Sequence, residues 1–264
     1  MMALQENISL RPYNTFGVDA KARYFFSVTT PQRVMPVVEE APGGSPLFVL
    51  GGGSNVVLVD DVPGSVLLNR IRGIDTVGEE DDDCVIEAGG GEDWHGLVNW
   101  SLDRGLCGLE NLSLIPGSVG AAPIQNIGAY GVELSSVLES VTAWDWQRGR
   151  WLNLPAADCG FAYRDSRFKS VEPDRYLITS IRLRLGRTFQ PRLDYPGLAE
   201  ELDAAGIRRP TAGDVSEAVC RIRRRKLPDP AVTGNAGSFF KNPVMPADDA
   251  EKLLQRYPDL PSWP

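Results

Sequence analysis

Few side chains in this sequence could run acid–base or nucleophilic chemistry, and their spacing does not assemble them. The single histidine, His95, follows Trp94 at what reads as the start of a helix, where capping or packing accounts for it. A Ser-His-Asp or Cys-His hydrolase would have to use that one imidazole, and no Gly-x-Ser-x-Gly elbow surrounds any serine. Cys84, Cys107, Cys159 and Cys220 lie far apart, without a Cys-x-x-Cys or a nearby histidine. They read as reduced, mostly buried thiols, and no metal is expected. Ser238, flanked by glycine and aromatics, has Lys226 and Lys241 near it in sequence but no base. A hydroxyl so placed ordinarily satisfies local backbone. In the basic run 221–226, Arg223 falls four residues after Val219 and Lys226 four after Ile222. That spacing puts both on the inward helix face as anion contacts, while Arg221, Arg224 and Arg225 point elsewhere. A solvated helix end favoured by the macrodipole is the other reading of this run. With so little intrinsic chemistry, a cofactor is the obvious source of reactivity.

What must hold a cofactor is main chain. In residues 110–131, Gly117, Gly120, Gly128 and Gly131, with Ala121, Ala122 and Ala129, remove bulk where a backbone must approach something closely. Pro116 and Pro123 stiffen the stretch. Such a segment suits a cradle for a large flat or phosphorylated ligand, the other reading being a tight packing crossover. A second glycine loop, Gly51-Gly-Gly-Ser-Asn55, follows a buried strand at 47–50. After it we expect another strand at the β-branched run Val56-Val-Leu-Val59 and a turn at 60–64. A Rossmann fingerprint needs its glycines to open a helix, so a strand-to-strand loop disfavours that fold. Taken alone, residues 51–55 could be a bare hairpin turn.

The remaining pattern is α+β. An extended lead-in, including Arg11-Pro-Tyr-Asn-Thr-Phe-Gly17, precedes a strand at 22–28 and a helix over 31–40. Short strands at 66–69, 75–77 and 84–88 enclose an acidic run, 79–83, that reads as a solvated loop. An amphipathic helix spans 92–104, with Trp94, Leu97, Val98 and Leu102 inward and Gly105 as its C-cap. A hairpin of 141–146 with 150–154 and an alternating strand at 176–185 follow. A helix over 211–226 opens with Asp214 and Glu217 as its capping box.

At 264 residues the chain suits two domains and part of a third. A hydrophobic content of 42% and charged content of 23% describe a soluble globular protein. No apolar run reaches the length of a membrane span and no secretory signal is visible, which makes the cytoplasm the expected location. A net charge of -8 argues against non-specific nucleic-acid binding, which depends on neutralising phosphates.

Together, Tyr13-Asn-Thr-Phe-Gly17, Gly51-Gly-Gly-Ser-Asn55, residues 110–131, Tyr163-Arg-Asp-Ser166 and residues 226–243 resemble the MurB family, the UDP-N-acetylenolpyruvoylglucosamine reductases of peptidoglycan precursor synthesis. The specific signals are Ile115-Pro-Gly-Ser-Val-Gly120, Pro123-Ile-Gln-Asn-Ile-Gly-Ala-Tyr-Gly131 and Gly237-Ser-Phe-Phe-Lys-Asn-Pro243. The resemblance implies an α+β, FAD-binding fold of the vanillyl-alcohol oxidase (PCMH) type. Two flavin-binding subdomains, 1–70 and 71–222, would precede an incomplete substrate domain at 223–264. It implies FAD as cofactor and NADPH as co-substrate. Gly51, Gly52, Gly53, Ser54 and Asn55, with Ile115, Pro116, Gly117, Ser118, Gly120, Ala121 and Ala122, would cradle the pyrophosphate. Ile124, Gln125, Asn126, Ile127, Gly128, Ala129 and Tyr130 would lie along the flavin, with Arg223 near it.

By the same resemblance the small-molecule substrate is UDP-N-acetylglucosamine enolpyruvate, which accepts a hydride at C3 and a proton at C2. Arg164 would stabilise charge spreading into the pyruvyl carboxylate, and Ser238 would donate the proton. Tyr195, Lys226 and Asn242 match substrate positions on the diphosphate and uridine side. A monomer is expected, with no nucleic-acid or membrane partner. Family members continue beyond the stretch 253–264, and that continuation carries a glutamate assisting protonation, so the chain reads as a truncated reductase that keeps flavin binding better than turnover. A flavin oxidase of the same fold would lack Gly237-Ser-Phe-Phe-Lys-Asn-Pro243, and a non-catalytic flavin-binding protein is the remaining alternative.

Overall fold

The computed structural model describes residues 4–42, 47–238, 240–260 and 262. Phe239 of the 237–243 motif and most of the 261–264 tail lie outside them. In chain order the elements are β1 (Gln5–Ser9), β2 (Lys21–Val28), α1 (Val34–Glu40), β3 (Leu47–Leu50), β4 (Val62–Asn69), β5 (Ile74–Glu79) and β6 (Asp83–Gly89). Then follow α2 (Trp94–Leu102), the two-residue strands β7 (Gly128–Ala129) and β8 (Val132–Glu133), β9 (Leu138–Asp145), β10 (Arg150–Pro155), β11 (Tyr176–Gly186), α3 (Leu198–Ala204), α4 (Ala212–Lys226) and α5 (Ala247–Arg256).

Two sheets carry the molecule. The first has the order β1-β2-β4-β3, with β4 lying parallel to both β2 and β3. Being central and covered on both faces, β4 reads as a continuous apolar run, Val66-Leu-Leu68, rather than an alternating one. The second sheet, β10-β9-β11-β6-β5, is antiparallel throughout, and its long strand β11 pairs with both β6 and β9. Its core is capped by α2, whose Trp94, Leu97 and Val98 are fully buried with Ile86, Leu112 and Ile181. The two sheets share apolar contacts: Phe26, Leu67 and Val37 from the first side pack with Trp144 and Leu177 from the second. A buried ion pair, Arg175 with Asp145, stiffens the second sheet through bonds of 2.9 and 2.6 Å. Those bonds hold the Asp145 carboxyl below its ordinary range. Helices α3 and α4 form a separate small cluster through Leu198, Leu202, Val215, Val219 and Ile222.

Several local expectations are corrected. Residues 56–59 are not a strand: Val59 is 94% exposed, and the segment belongs to the crossover that carries the chain from β3 back to its parallel neighbour β4. A parallel pair needs such a long return, so the β-branched run has no strand beside it. Residues 62–64, read as part of a turn, begin β4. Arg11–Tyr13 is one 3₁₀ turn instead of extended chain. The capping box of α4 lies one turn earlier than expected, with Thr211 accepting from the Asp214 N–H and Asp214 accepting from the Thr211 N–H. The acidic run 79–83 includes the ends of β5 and β6 and is paired as well as solvated: Arg184 reaches Glu80 at 3.0 Å, and Arg187 reaches Glu79 at 3.6 Å.

Candidate functional site

The two glycine-rich stretches meet. A Cβ on Gly51 would stand 2.2 Å from Ser118 Oγ, and one on Gly52 would stand 3.0 Å from Gly117 Cα. Gly53 has φ +63°, and a Cβ there would reach 2.0 Å from the Tyr13 carbonyl oxygen and 2.7 Å from Asn14 Cα. Only glycine lets three chain segments converge this closely. Side chains tie the loops across the seam: Ser54 Oγ donates to the Pro116 carbonyl at 3.1 Å, and Asn55 Nδ2 donates to Gln125 Oε1 at 2.9 Å.

Convergence leaves donors free. Among the described residues, the backbone N–H groups of Gly52, Gly53, Ser54, Asn55, Gly117 and Ser118 donate to no protein acceptor. Neighbouring amides are used: Val119 N–H bonds the Glu92 carbonyl at 2.9 Å and Gly120 N–H bonds the Gly90 carbonyl at 2.8 Å. A cluster of unpartnered amides on small residues is the donor set a pyrophosphate requires. Beside it opens a cleft of about 160 Å³ between the sheets, lined by Val49, Gly51, Asn69, Ser118, Ala121, Ile124, Tyr176 and Ile178. The residues present therefore fit a phosphorylated, partly apolar cofactor.

Other residues of the cradle are spent internally. Asn126 is fully buried, and its Nδ2 donates to Glu133 Oε2 at 2.8 Å and to the Ala162 carbonyl at 3.1 Å, while its Oδ1 accepts from the Ser135 N–H at 3.0 Å. Ile127 and Ala122 belong to the core under the second sheet. Ile115, Gln125, Gly128 and Ala129 are half-buried, and Pro116 is exposed. The small hairpin of β7 and β8 presents Gly128 to Arg164: Nη2 of the arginine donates to the Gly128 carbonyl, and Nη1 lies 3.8 Å from Glu133 Oε1. The buried Asn126 thus orients Glu133, and Glu133 with the Gly128 carbonyl orients the guanidinium.

Arg223 donates through Nε to the Leu114 carbonyl at 3.2 Å, just ahead of the cradle, and burial there weighs against its charge. Tyr130 meets Tyr195 edge-on with ring centroids 5.0 Å apart, and burial raises its phenol pKa against the opposing effect of Arg223. Lys226 is exposed, contrary to the inward position its spacing suggested, because it is the last residue of α4 and the apolar cluster beneath ends at Ile222. Asn242 is exposed as well.

Ser238 is exposed, and its neighbour Gly237 is brought to the first loop, where a Cβ would lie 3.8 Å from the Ser54 carbonyl oxygen. Two bonds fasten this segment: Thr15 Oγ1 donates to the Asn235 carbonyl at 2.7 Å, and Asn235 N–H donates to the Thr15 carbonyl at 3.1 Å. Lys241 acts on Asp165, next to Arg164, whose carboxyl is held low first by the Ser170 hydroxyl and further by Lys169 and Lys241. Contacts therefore join the first loop to Pro116 and Gln125, Arg164 to Gly128 and Glu133, and Asn235 and Gly237 to Thr15 and Ser54. Sequence reasoning missed Glu133 and Asn111. The latter bridges the Tyr130 carbonyl at 2.8 Å and the Arg192 carbonyl at 2.9 Å. An acid three residues beyond Tyr130 was the available signal for Glu133.

Two α+β lobes sharing a cleft edged by glycine-loop amides suit an FAD-binding fold. A family model described as "FAD binding domain" matches residues 22–155. The UDP-N-acetylenolpyruvoylglucosamine reductase of Pseudomonas aeruginosa is 52% identical over 264 residues, covering 100% of this chain and 78% of that protein. The enzyme of the same name from Bordetella pertussis is 52% identical over 255 residues, 97% of this chain and 72% of that protein. The crystal structure of UDP-N-acetylenolpyruvylglucosamine reductase (MurB) from Thermus caldophilus superimposes with a TM-score of 0.68 at 28% identity, covering 98% of this chain and 81% of that one. The chain belongs to the UDP-N-acetylenolpyruvoylglucosamine reductase family.

Proposed function

We propose that this chain is the NADPH-dependent flavoprotein reductase that converts UDP-N-acetylglucosamine enolpyruvate to UDP-N-acetylmuramate in peptidoglycan precursor synthesis. The observation that carries the reading is the seam between residues 51–55 and 115–122, where two loops touch backbone to backbone and, among the described residues, leave the amides of Gly52, Gly53, Ser54, Asn55, Gly117 and Ser118 unpartnered. Those amides, with Ser54 and Ser118 beside them, would hold the FAD pyrophosphate, and the stretch 124–130 would flank the flavin. When bound, FAD supplies a two-electron carrier that NADPH reduces and that delivers hydride to C3 of the enol ether.

The chain's own residues supply the remaining steps. Arg164, already oriented by Glu133 and the Gly128 carbonyl, faces the pyruvyl carboxylate, where negative charge accumulates as hydride arrives. A fixed planar guanidinium suits that task better than a mobile ammonium. Ser238 holds the proton for C2; a hydroxyl is a weak acid, but the acceptor is strongly basic and Lys241 lies in the same segment. Tyr195, edge-on to Tyr130, covers the diphosphate together with Lys226, and Asn242 serves the uridine side. The apolar walls of the cleft, Val49, Ile124 and Ile178, exclude water from the cofactor.

Reconstitution with FAD followed by absorbance spectroscopy tests the cofactor, and NADPH oxidation with and without the enolpyruvyl sugar tests the reaction. Yellow protein with sugar-dependent NADPH consumption is expected. Protein that stays colourless after FAD addition overturns the reading, and oxygen consumption on simple sugars or alcohols would replace it with an oxidase.

A further inference from the structure

The only histidine of the chain is tied to the cradle. His95, in the first turn of α2, accepts through Nδ1 from the Leu114 N–H at 3.1 Å. Arg223, from α4, donates through Nε to the carbonyl oxygen of the same Leu114 at 3.2 Å. Leu114 is a non-glycine residue at φ +57°, a left-handed conformation that a leucine does not hold unaided. Both polar groups of one strained residue are therefore gripped by side chains from two different helices. Just past Leu114 the chain turns into residues 115–118, whose Gly117 and Ser118 amides edge the cleft. The far side of that turn is fixed as well, through Trp94 N–H on the Gly117 carbonyl at 3.0 Å.

We propose that His95 is a positioning residue for the FAD cradle: its neutral imidazole, opposite Arg223, locks Leu114 in the left-handed conformation that aims the Gly117 and Ser118 amides at the FAD pyrophosphate. The inference rests on the flavin reading above and assigns a role to a residue outside the cleft. Because Nδ1 accepts, the proton sits on Nε2, facing Cys220 Sγ at 3.9 Å. A second proton on Nδ1 would set an N–H against the Leu114 N–H and open the grip. Burial already lowers the imidazole pKa; Asp93 on its own helix opposes this, Arg224 and Arg223 of α4 reinforce it, and Glu217 of α4 opposes it more weakly. Cys220 is the remaining titratable group in contact with the ring, and burial keeps it a thiol by raising its pKa. Binding FAD and protonating His95 are thus mutually exclusive to the extent that both act on Leu114.

A single histidine makes the test direct. Its C–H proton signals are followed by NMR from pH 8 to 5 with and without FAD, and FAD affinity is measured across the same range by flavin fluorescence. The expected result is a His95 titration displaced to lower pH by FAD, and an affinity that weakens by up to about tenfold per pH unit below its midpoint, as linkage of one proton requires. His95→Asn, which keeps an acceptor near Nδ1 and cannot titrate, is expected to bind FAD with a flat pH dependence. His95→Leu is expected to lose about tenfold in FAD affinity at neutral pH. Should Leu not fold by circular dichroism, the Asn variant and the NMR titration still decide. A His95 midpoint unmoved by FAD, or an Asn variant with the wild-type pH dependence, overturns the proposal while leaving the flavin reading intact. Protein that takes up no FAD at any pH overturns both.

Discussion

The cradle and the segment that follows α4 meet at Ser54 but are held in different ways. Around residues 51–55 and 115–131 the chain is fixed from several directions: loop against loop, α2 through Trp94 and His95, α4 through Arg223, and the second sheet through Gly90. Past Lys226, residues 228–246 contain no helix or strand among the described residues, and Asn235 carries the bonds that fasten them to residue 15. Ser238, Asn242 and Lys226 are exposed, whereas the cradle's Gly53, Ser118 and Gly120 are buried. The side that would hold the cofactor is fixed by contacts within the chain itself. The side that would hold the substrate is attached at a few points and presents its polar groups to solvent.

The sharpest way to break this contrast is Gly53→Ala. A methyl at φ +63° and 2.0 Å from the Tyr13 carbonyl cannot be accommodated, so a loss of roughly 3 kcal/mol in stability and of flavin binding altogether is expected by thermal melting and absorbance. Next, Ser238→Ala should leave the melting temperature and flavin spectrum unchanged while lowering turnover of the enolpyruvyl sugar about 100-fold or more in steady-state assays. If flavin binding fell with it, the two sides of the cleft would be one unit. Glu133→Gln sits between the two: removing one anchor of Arg164 should slow sugar-dependent turnover about tenfold, with FAD uptake and reduction by NADPH unaffected, as stopped-flow absorbance would show.

The smallest effect is expected behind the cleft wall, where Glu172 accepts from the Tyr176 hydroxyl. Glu172 is pushed down to about 2, first by its hydrogen bond from Arg167 and then by that from Tyr176. A carboxylate lowered in this way adds stability above its ordinary pKa of 4.5, and that contribution disappears as pH falls from 4.5 toward 2. Glu172→Gln should flatten the melting temperature over that window without changing flavin content.

How far the sequence carried depended on whether the deciding contact was local. The cradle was legible because glycine, alanine and proline report close backbone approach wherever the partner comes from. The strands at 84–88 and 176–185 declared themselves by composition and alternation. Residues 56–59 misled because a β-branched run specifies extended chain, while a strand also needs a neighbour, and β4 spends its two edges on β2 and β3. The α4 cap was ambiguous for a simpler reason: Thr211 with Asp214 and Asp214 with Glu217 satisfy the same spacing. Lys226 was placed inward by helical period but is exposed, because period does not say where the opposing surface stops. The grip on Leu114 joins it to His95, 19 residues before it, and to Arg223, 109 residues after it, and no spacing rule links the three.

The bonds between Thr15 and Asn235 also set an order of assembly during synthesis. Both glycine loops and the whole second sheet leave the ribosome before residue 235 exists, and Gly131 precedes it by about 100 residues, a delay of roughly 5–20 s at ordinary elongation rates. A nascent chain can therefore bring the two glycine loops and the second sheet together first, and receive the Arg223 contact and the residue-235 strap afterwards, with Thr15 waiting for a partner made 220 residues later.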